Sequence, residues 1–137
     1  MLGPGDIETV MSAGILFDNP PRRDAAERFL AEPGHHLVVA MEDGVAVGFV
    51  SGVETVHPDK GVEMFLYELS VAESHWRRGI GRALVERLAD IARAAGCYGM
   101  WVGTDDGNPA ALATYARAGG VRDSEPTVVL TWDFSTA

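Results

Sequence analysis

Apolar side chains recur along this chain in two rhythms. Ile7, Val10, Met11 and Ile15 stand at helical spacing and predict a helix over 6–16, with Asp6 as its N-cap. Pro20-Pro21 breaks the chain. Ala26, Phe29 and Leu30 then place a second helix over 22–31, ended by Pro33-Gly34. The rhythm shortens after that. Residues 36–41 read as an apolar strand, Glu42-Asp43-Gly44 as a hairpin turn, and 45–53 as the returning strand. A polar loop with Pro58 covers 56–61, and a third strand runs over 63–71. Ile80, Leu84, Val85, Leu88, Ile91 and Ala92 trace one face of a long helix, 80–95, with Gly96 as its C′ stop. A strand over 98–103, a turn from Asp105 to Pro109, a helix over 109–118 closed by Gly119-Gly120, and a last strand over 127–134 complete the pattern. The order ααβββαβαβ in 137 residues describes one domain over 1–137, of α+β (mixed α/β) class, with helices covering a sheet.

Composition adds exclusions. The apolar fraction of 47% supports a packed core, and no apolar run approaches the roughly 20 residues that span a bilayer. The first ten residues lack the basic start and apolar stretch of a signal peptide, so a cytoplasmic location is expected. The single cysteine, Cys97, forms no internal disulfide and leaves no zinc cluster; it reads as a small buried residue. His35, His36, His57 and His75 show no ligand spacing and read as surface or helix-flanking, so no metal is expected. A net charge of −9 argues against nucleic acid and anionic membrane as partners and suits a cationic substrate. The charge is also divided. Glu42, Asp43, Glu54, Asp59, Glu63 and Glu68 lie in the middle of the chain against Lys60 alone, whereas arginines gather around Gly79.

That arginine cluster, His75-Trp76-Arg77-Arg78-Gly79-Ile80-Gly81-Arg82, joins the third strand to the long helix. A glycine turn there lets backbone approach a ligand, the first N–H groups of the helix face outward, and Arg77, Arg78 and Arg82 suit phosphate oxygens. It is not a dinucleotide fingerprint, because Leu84 stands where the third glycine belongs. It is not a P-loop, because no Lys-Ser/Thr pair follows the last glycine.

Strand, R-R-G-I-G-R-A-L, amphipathic helix, strand and N-P-A-A-L-A-T-Y-A-R-A-G-G together resemble the GCN5-related N-acetyltransferase superfamily over roughly residues 64–134. F-L-Y-E-L-S-V-A-E-S-H-W, T-D-D-G-N-P and the early L-G-P-G-D-I are similar more narrowly to type I aminoglycoside 3-N-acetyltransferases. The resemblance implies a mostly antiparallel central sheet flanked by helices. Its first strand would be short or missing here, since only Met1 and Leu2 precede Gly3, and the exposed edge would suit a partner subunit, a possible homodimer. It implies acetyl-CoA as co-substrate. Backbone N–H groups of Arg77, Arg78, Gly79, Ile80, Gly81 and Arg82 would hold the pyrophosphate. Leu69, Ser70 and Val71 would bond the pantetheine arm, and Asn108 would contact it. The family usually carries Arg or Gln three positions before the first glycine; this chain carries Trp76.

For chemistry, the resemblance implies Glu68 as the base that frees the amine and Tyr115 as the acid that protonates the thiolate. In an alternating strand Glu68 shares a face with Met64, Leu66 and Ser70. Glu68, Asp105 and Asp106 would hold a cationic acceptor, with Glu54, Asp59, Glu63 and Glu125 as weaker candidates. The expected reaction is direct transfer, in a ternary complex, to the 3-amino group of an aminoglycoside. Other acceptors of the superfamily (a polyamine, a small metabolite, a protein N-terminus) and a non-catalytic acyl-CoA-binding module are the alternatives.

Overall fold

The computed structural model describes residues 1–135. Helices α1 (Ile7–Ser12) and α2 (Arg23–Ala31) precede three antiparallel strands, β1 (His35–Glu42), β2 (Val45–His57) and β3 (Gly61–Val71). Helix α3 (Ile80–Ala94), a short β4 (Met100–Trp101) and α4 (Pro109–Arg117) follow. The sheet order is β1-β2-β3-β4, with β4 parallel to β3. Asp43 and Gly44 both take left-handed φ, at 50° and 78°, so the tight β1–β2 turn is the one its Asp-Gly pair favours.

Each face of the sheet carries its own core. On one face α3 lays Leu84, Val85, Leu88 and Ile91 against Val38, Val50, Met64 and Leu66. On the other, Val10, Leu16 and Leu30 of the N-terminal helical segment cover Leu37 and Phe49, and Phe17 stacks on Phe49 at 4.4 Å. Each large apolar side chain so buried contributes about 1.5–3 kcal/mol. Helix α3 lies close to the sheet because Gly48 and Gly52 of β2 sit beneath it. A Cβ at Gly52 would stand 2.7 Å from Leu88 and 2.9 Å from Met64.

Three expectations from the sequence are corrected. Residues 56–61 are not an open loop: β2 and β3 pair to their ends, with His57 opposite Gly61, and only a tight turn separates them. The turn residues hold Pro58, while Val56 and Val62 keep the two-residue alternation and pair across the ladder. The strand expected over 98–103 shrinks to Met100–Trp101. The strand expected over 127–134 does not form; the segment is irregular, and Val128, Val129, Leu130, Trp132 and Phe134 are exposed. Its alternation is strand-like, but a strand needs a neighbour to bond, and none of the described strands pairs with it. At the other end the expectation of a short or missing first strand agrees with the structure: Leu2 donates one backbone hydrogen bond to Leu37 of β1, at 2.8 Å, and the sheet itself begins at His35.

Candidate active site

The register of β3 shifts at one place. Ser51 pairs with Glu68 and Gly52 with Leu66, so Tyr67 is an extra residue. Such a bulge re-aims the side chains that follow it. Met64 and Leu66 stay in the α3 core, and past the bulge it is Leu69 and Val71 that pack there. Glu68 is turned to the opposite face. The expected shared face of Glu68 with Met64 and Leu66 is therefore corrected, while its pairing with Ser70 is retained. The Glu68 N–H donates to Ser51 Oγ at 3.2 Å, which fixes the bulge to β2.

A second break lies alongside. Strands β3 and β4 pair only at Met64–Met100 and Phe65–Trp101, and the chain then leaves the sheet through Thr104 into α4. The edge of β3 from Tyr67 onward is left without a strand neighbour among the described residues. A cavity of about 300 Å³ occupies the gap. Glu68, Leu69 and Ser70 line one side, Thr104, Asn108, Ala111 and Tyr115 the other, and Leu16 and Asp18 close it from the N-terminal segment. Asn108 is the N-cap of α4, its side chain accepting from Ala111 N–H at 3.1 Å, so Ala111 and Tyr115 face the cavity one turn apart.

Electrostatics distinguish the two candidate chemical residues. Burial raises the Glu68 pKa, and the nearby Asp18 carboxylate raises it further. Burial raises the Tyr115 pKa, which keeps that phenol protonated. A carboxylate moved toward neutrality and a phenol held neutral, both lining one cavity, are suited to accept one proton and donate another.

The arginine loop stands where β3 ends and α3 begins. Gly79 is the N-cap of α3 with φ 78°, and Arg77 is also left-handed at 66°. The first intrahelical bond runs from Ala83 N–H to the Gly79 carbonyl, so the N–H groups of Ile80, Gly81 and Arg82 precede the helical ladder. Glu42 ties the loop to β1 by meeting His75 Nε2 at 2.7 Å and Arg78 at 3.4 Å. Arg82 pairs with Glu86. Trp76 donates from its indole to the Val71 carbonyl at 2.7 Å and so locks the loop to the end of β3. Gly81 also serves packing: its absent Cβ points at Thr114, 3.2 Å away, and at Leu69 and Val71. It lets α3 approach α4 and β3, whereas Gly79 is needed for its left-handed turn.

Other expected residues lie elsewhere. Asp105 accepts from Gly107 N–H and shapes the turn, and Asp106 pairs with Arg122 at 2.6 Å; neither lines the cavity. His36 is buried against Glu54, Nε2 to carboxylate 2.6 Å, and half-buried His57 hydrogen-bonds Glu63 at 3.2 Å, so both are tied to neighbouring side chains rather than free on the surface. Cys97 is half-buried against the α3 core, and burial raises its thiol pKa. Among the described residues no His, Cys, Asp and Glu cluster could hold a metal ion. Sequence reasoning missed Leu16, Asp18, Ser51 and Thr104. Asp18 offered the clearest signal, as a lone acid just after the first apolar run.

A larger cavity, of about 370 Å³, adjoins the first and shares Tyr67 and Glu68 with it. It lies between α2, the segment around Phe17, and the face of β1 to β3 opposite α3.

Comparison with known proteins places this geometry. The description of the acetyltransferase (GNAT) family matches residues 10–120. An N-alpha-acetyltransferase RimI of Mycobacterium tuberculosis (strain ATCC 25618 / H37Rv) is 36% identical over 102 residues, covering 74% of this chain and 62% of that protein. The chain thus spans less than two thirds of that relative's length. Aminoglycoside acetyltransferase meta-AAC0020, from an uncultured soil metagenomic sample and solved with sisomicin, superposes with a TM-score of 0.87 at 18% identity, over 96% of this chain and 92% of that one. Aminoglycoside acetyltransferase HMB0005, also from an uncultured soil metagenomic sample, superposes at 0.79 with 28% identity, over 96% and 95%.

Proposed function

The chain belongs to the acetyltransferase (GNAT) family, and from that premise we propose that it transfers an acetyl group from acetyl-CoA to a primary amine in a ternary complex. The observation that carries the reading is the cavity between the parted ends of β3 and β4, where Glu68 and Tyr115 stand on opposite walls. The open β3 edge at Leu69, Ser70 and Val71 offers backbone groups to the pantetheine amides as a neighbouring strand would. The start of α3, with Arg77, Arg78, Gly79, Ile80, Gly81 and Arg82, offers N–H groups and positive charge to the pyrophosphate. Asn108 borders the arm from the α4 side.

Glu68 takes the proton of the arriving ammonium, directly or through water. The freed nitrogen attacks the thioester carbonyl, and the C–N bond forms as the C–S bond breaks. Tyr115 gives its proton to the departing sulfur, the nitrogen loses its second proton to solvent as the amide forms, and the Tyr115 phenolate is reprotonated from solvent. Holding both reactants in one cavity supplies a large part of the acceleration. Purified protein with acetyl-CoA and an amine is expected to release free thiol, and Glu68→Gln to lower turnover about 100-fold or more with acetyl-CoA affinity kept. Thiol release that Glu68→Gln leaves untouched would remove Glu68 as the base.

Two observations bear on the acceptor. The 28% identity to aminoglycoside acetyltransferase HMB0005 supports an aminoglycoside, with its 3-amino group as the site expected from the sequence. The 36% identity to RimI supports the amino terminus of a polypeptide instead. Glu68 and Asp18 are the carboxylates that line the cavity, with Asp105 and Asp106 following Thr104 outside its lining.

A further inference from the structure

We propose that the larger cavity receives an apolar body attached to the acceptor amine, so that the preferred acceptor is a monoamine carrying an alkyl or aryl group rather than a polycationic aminosugar. The proposal rests on the acetyl-transfer reading and names the acceptor class for that same site.

Position is the first argument. Glu68 and Tyr67 belong to both cavities, so an amine at Glu68 has its substituent directed either back toward the acyl donor or into the larger space. The donor occupies the first, leaving the second. Its volume of about 370 Å³ falls in the range of small-molecule sites, roughly 300–1,000 Å³.

Wall chemistry is the second argument. Val10, Phe17, Phe29, Leu37 and Val53 present hydrocarbon to the cavity. Glu68 is the one carboxylate on its wall, and the one lining cation, Arg22, is exposed and paired to Asp24. A single ammonium is matched there by Glu68. Further ammonium groups entering that space would lose water without gaining a counter-charge, which disfavours a polycation.

The experiment uses the whole chain and straight-chain amines from propylamine to hexylamine, with gentamicin and spermidine as polycations. Acetylation is followed by thiol release at saturating acetyl-CoA. Amine binding to the protein–CoA complex is measured separately by calorimetry. We expect kcat/KM and affinity each to rise about fourfold per added methylene, the ratio that burying one CH₂ gives, until the cavity fills. Both polycations should be poorer than hexylamine. Val53→Phe and Ala25→Trp, which reduce the space from the strand and helix sides, should flatten the series, and unchanged acetyl-CoA affinity would show each variant to be folded. A flat or falling series in both readouts overturns the proposal, as does gentamicin exceeding hexylamine tenfold or more. If chain length strengthens binding but no amine is acetylated, the apolar cavity stands and the transfer reading fails. Brisk acetylation with no dependence on chain length sinks the cavity and leaves the transfer reading intact.

Discussion

Glu68 meets two influences that act in the same direction, burial first and the Asp18 carboxylate second. A base works only when deprotonated. A raised pKa therefore moves the acidic limb of the rate profile upward: activity is present above that pKa and lost as pH falls through it. Asp18→Asn removes the repulsion and lowers the Glu68 pKa, so the acidic limb of kcat/KM should move to lower pH. A limb that stays in place would show that another group governs it. Tyr115 is shifted by burial alone. Its phenol stays protonated through neutral pH, so Tyr115→Phe should slow transfer about 10- to 1000-fold. The loss should shrink with an acetyl donor whose leaving thiol is more acidic. Equal losses with both donors would make Tyr115 a packing residue. The type of these two residues and their places on β3 and α4 were legible in the sequence. The direction of Glu68 was not, because strict alternation assigns it to the α3 face, and only the extra residue Tyr67 reverses that.

At the scale of elements, the helices were the most legible part. The apolar stripe of α3 and its Gly96 stop predicted 80–95, and the helix runs over Ile80–Ala94 with Gly96 left-handed at 80°. Pro109 opens α4 as expected. Pro58 misled, because a proline in a tight turn leaves the flanking ladder intact. Glycines were read for one purpose and serve two. Gly52 and Gly81 are both contact points, yet they should behave differently when filled. Gly52→Ala forces a methyl group against Leu88 and Met64 in the α3 core, far from the arginine loop in sequence, and should cost about 1–3 kcal/mol of stability with acetyl-CoA affinity unchanged. Gly81→Val presses on Thr114, the neighbour of Tyr115, and should lower both stability and turnover by moving α4. Urea melts beside calorimetry of acetyl-CoA separate the two. Full turnover in folded Gly81→Val would show that α4 tolerates the shift.

At the scale of the whole molecule, what periodicity misses is what several distant segments build together. The larger cavity takes residues from the first apolar run, α2 and three strands, and no local pattern announces such a meeting. The segment after α4 shows the converse. Thr127-Val128-Val129-Leu130-Thr131-Trp132 has the composition of a strand and predicted one, but strand propensity is realised only against a neighbour. In the chain by itself that segment stays irregular, with Trp132 at 74% and Phe134 at 89% exposure. Apolar side chains left in water on a segment that joins no strand among the described residues invite pairing with a second chain. Sedimentation from low to high micromolar concentration should therefore show self-association. The double change Trp132→Ser and Phe134→Ser should weaken it, with the melting transition of the domain unchanged because neither side chain belongs to either core. A chain that sediments as a monomer throughout, or a variant that associates as the original does, would show that this segment is no interface and that its apolar pattern has another cause.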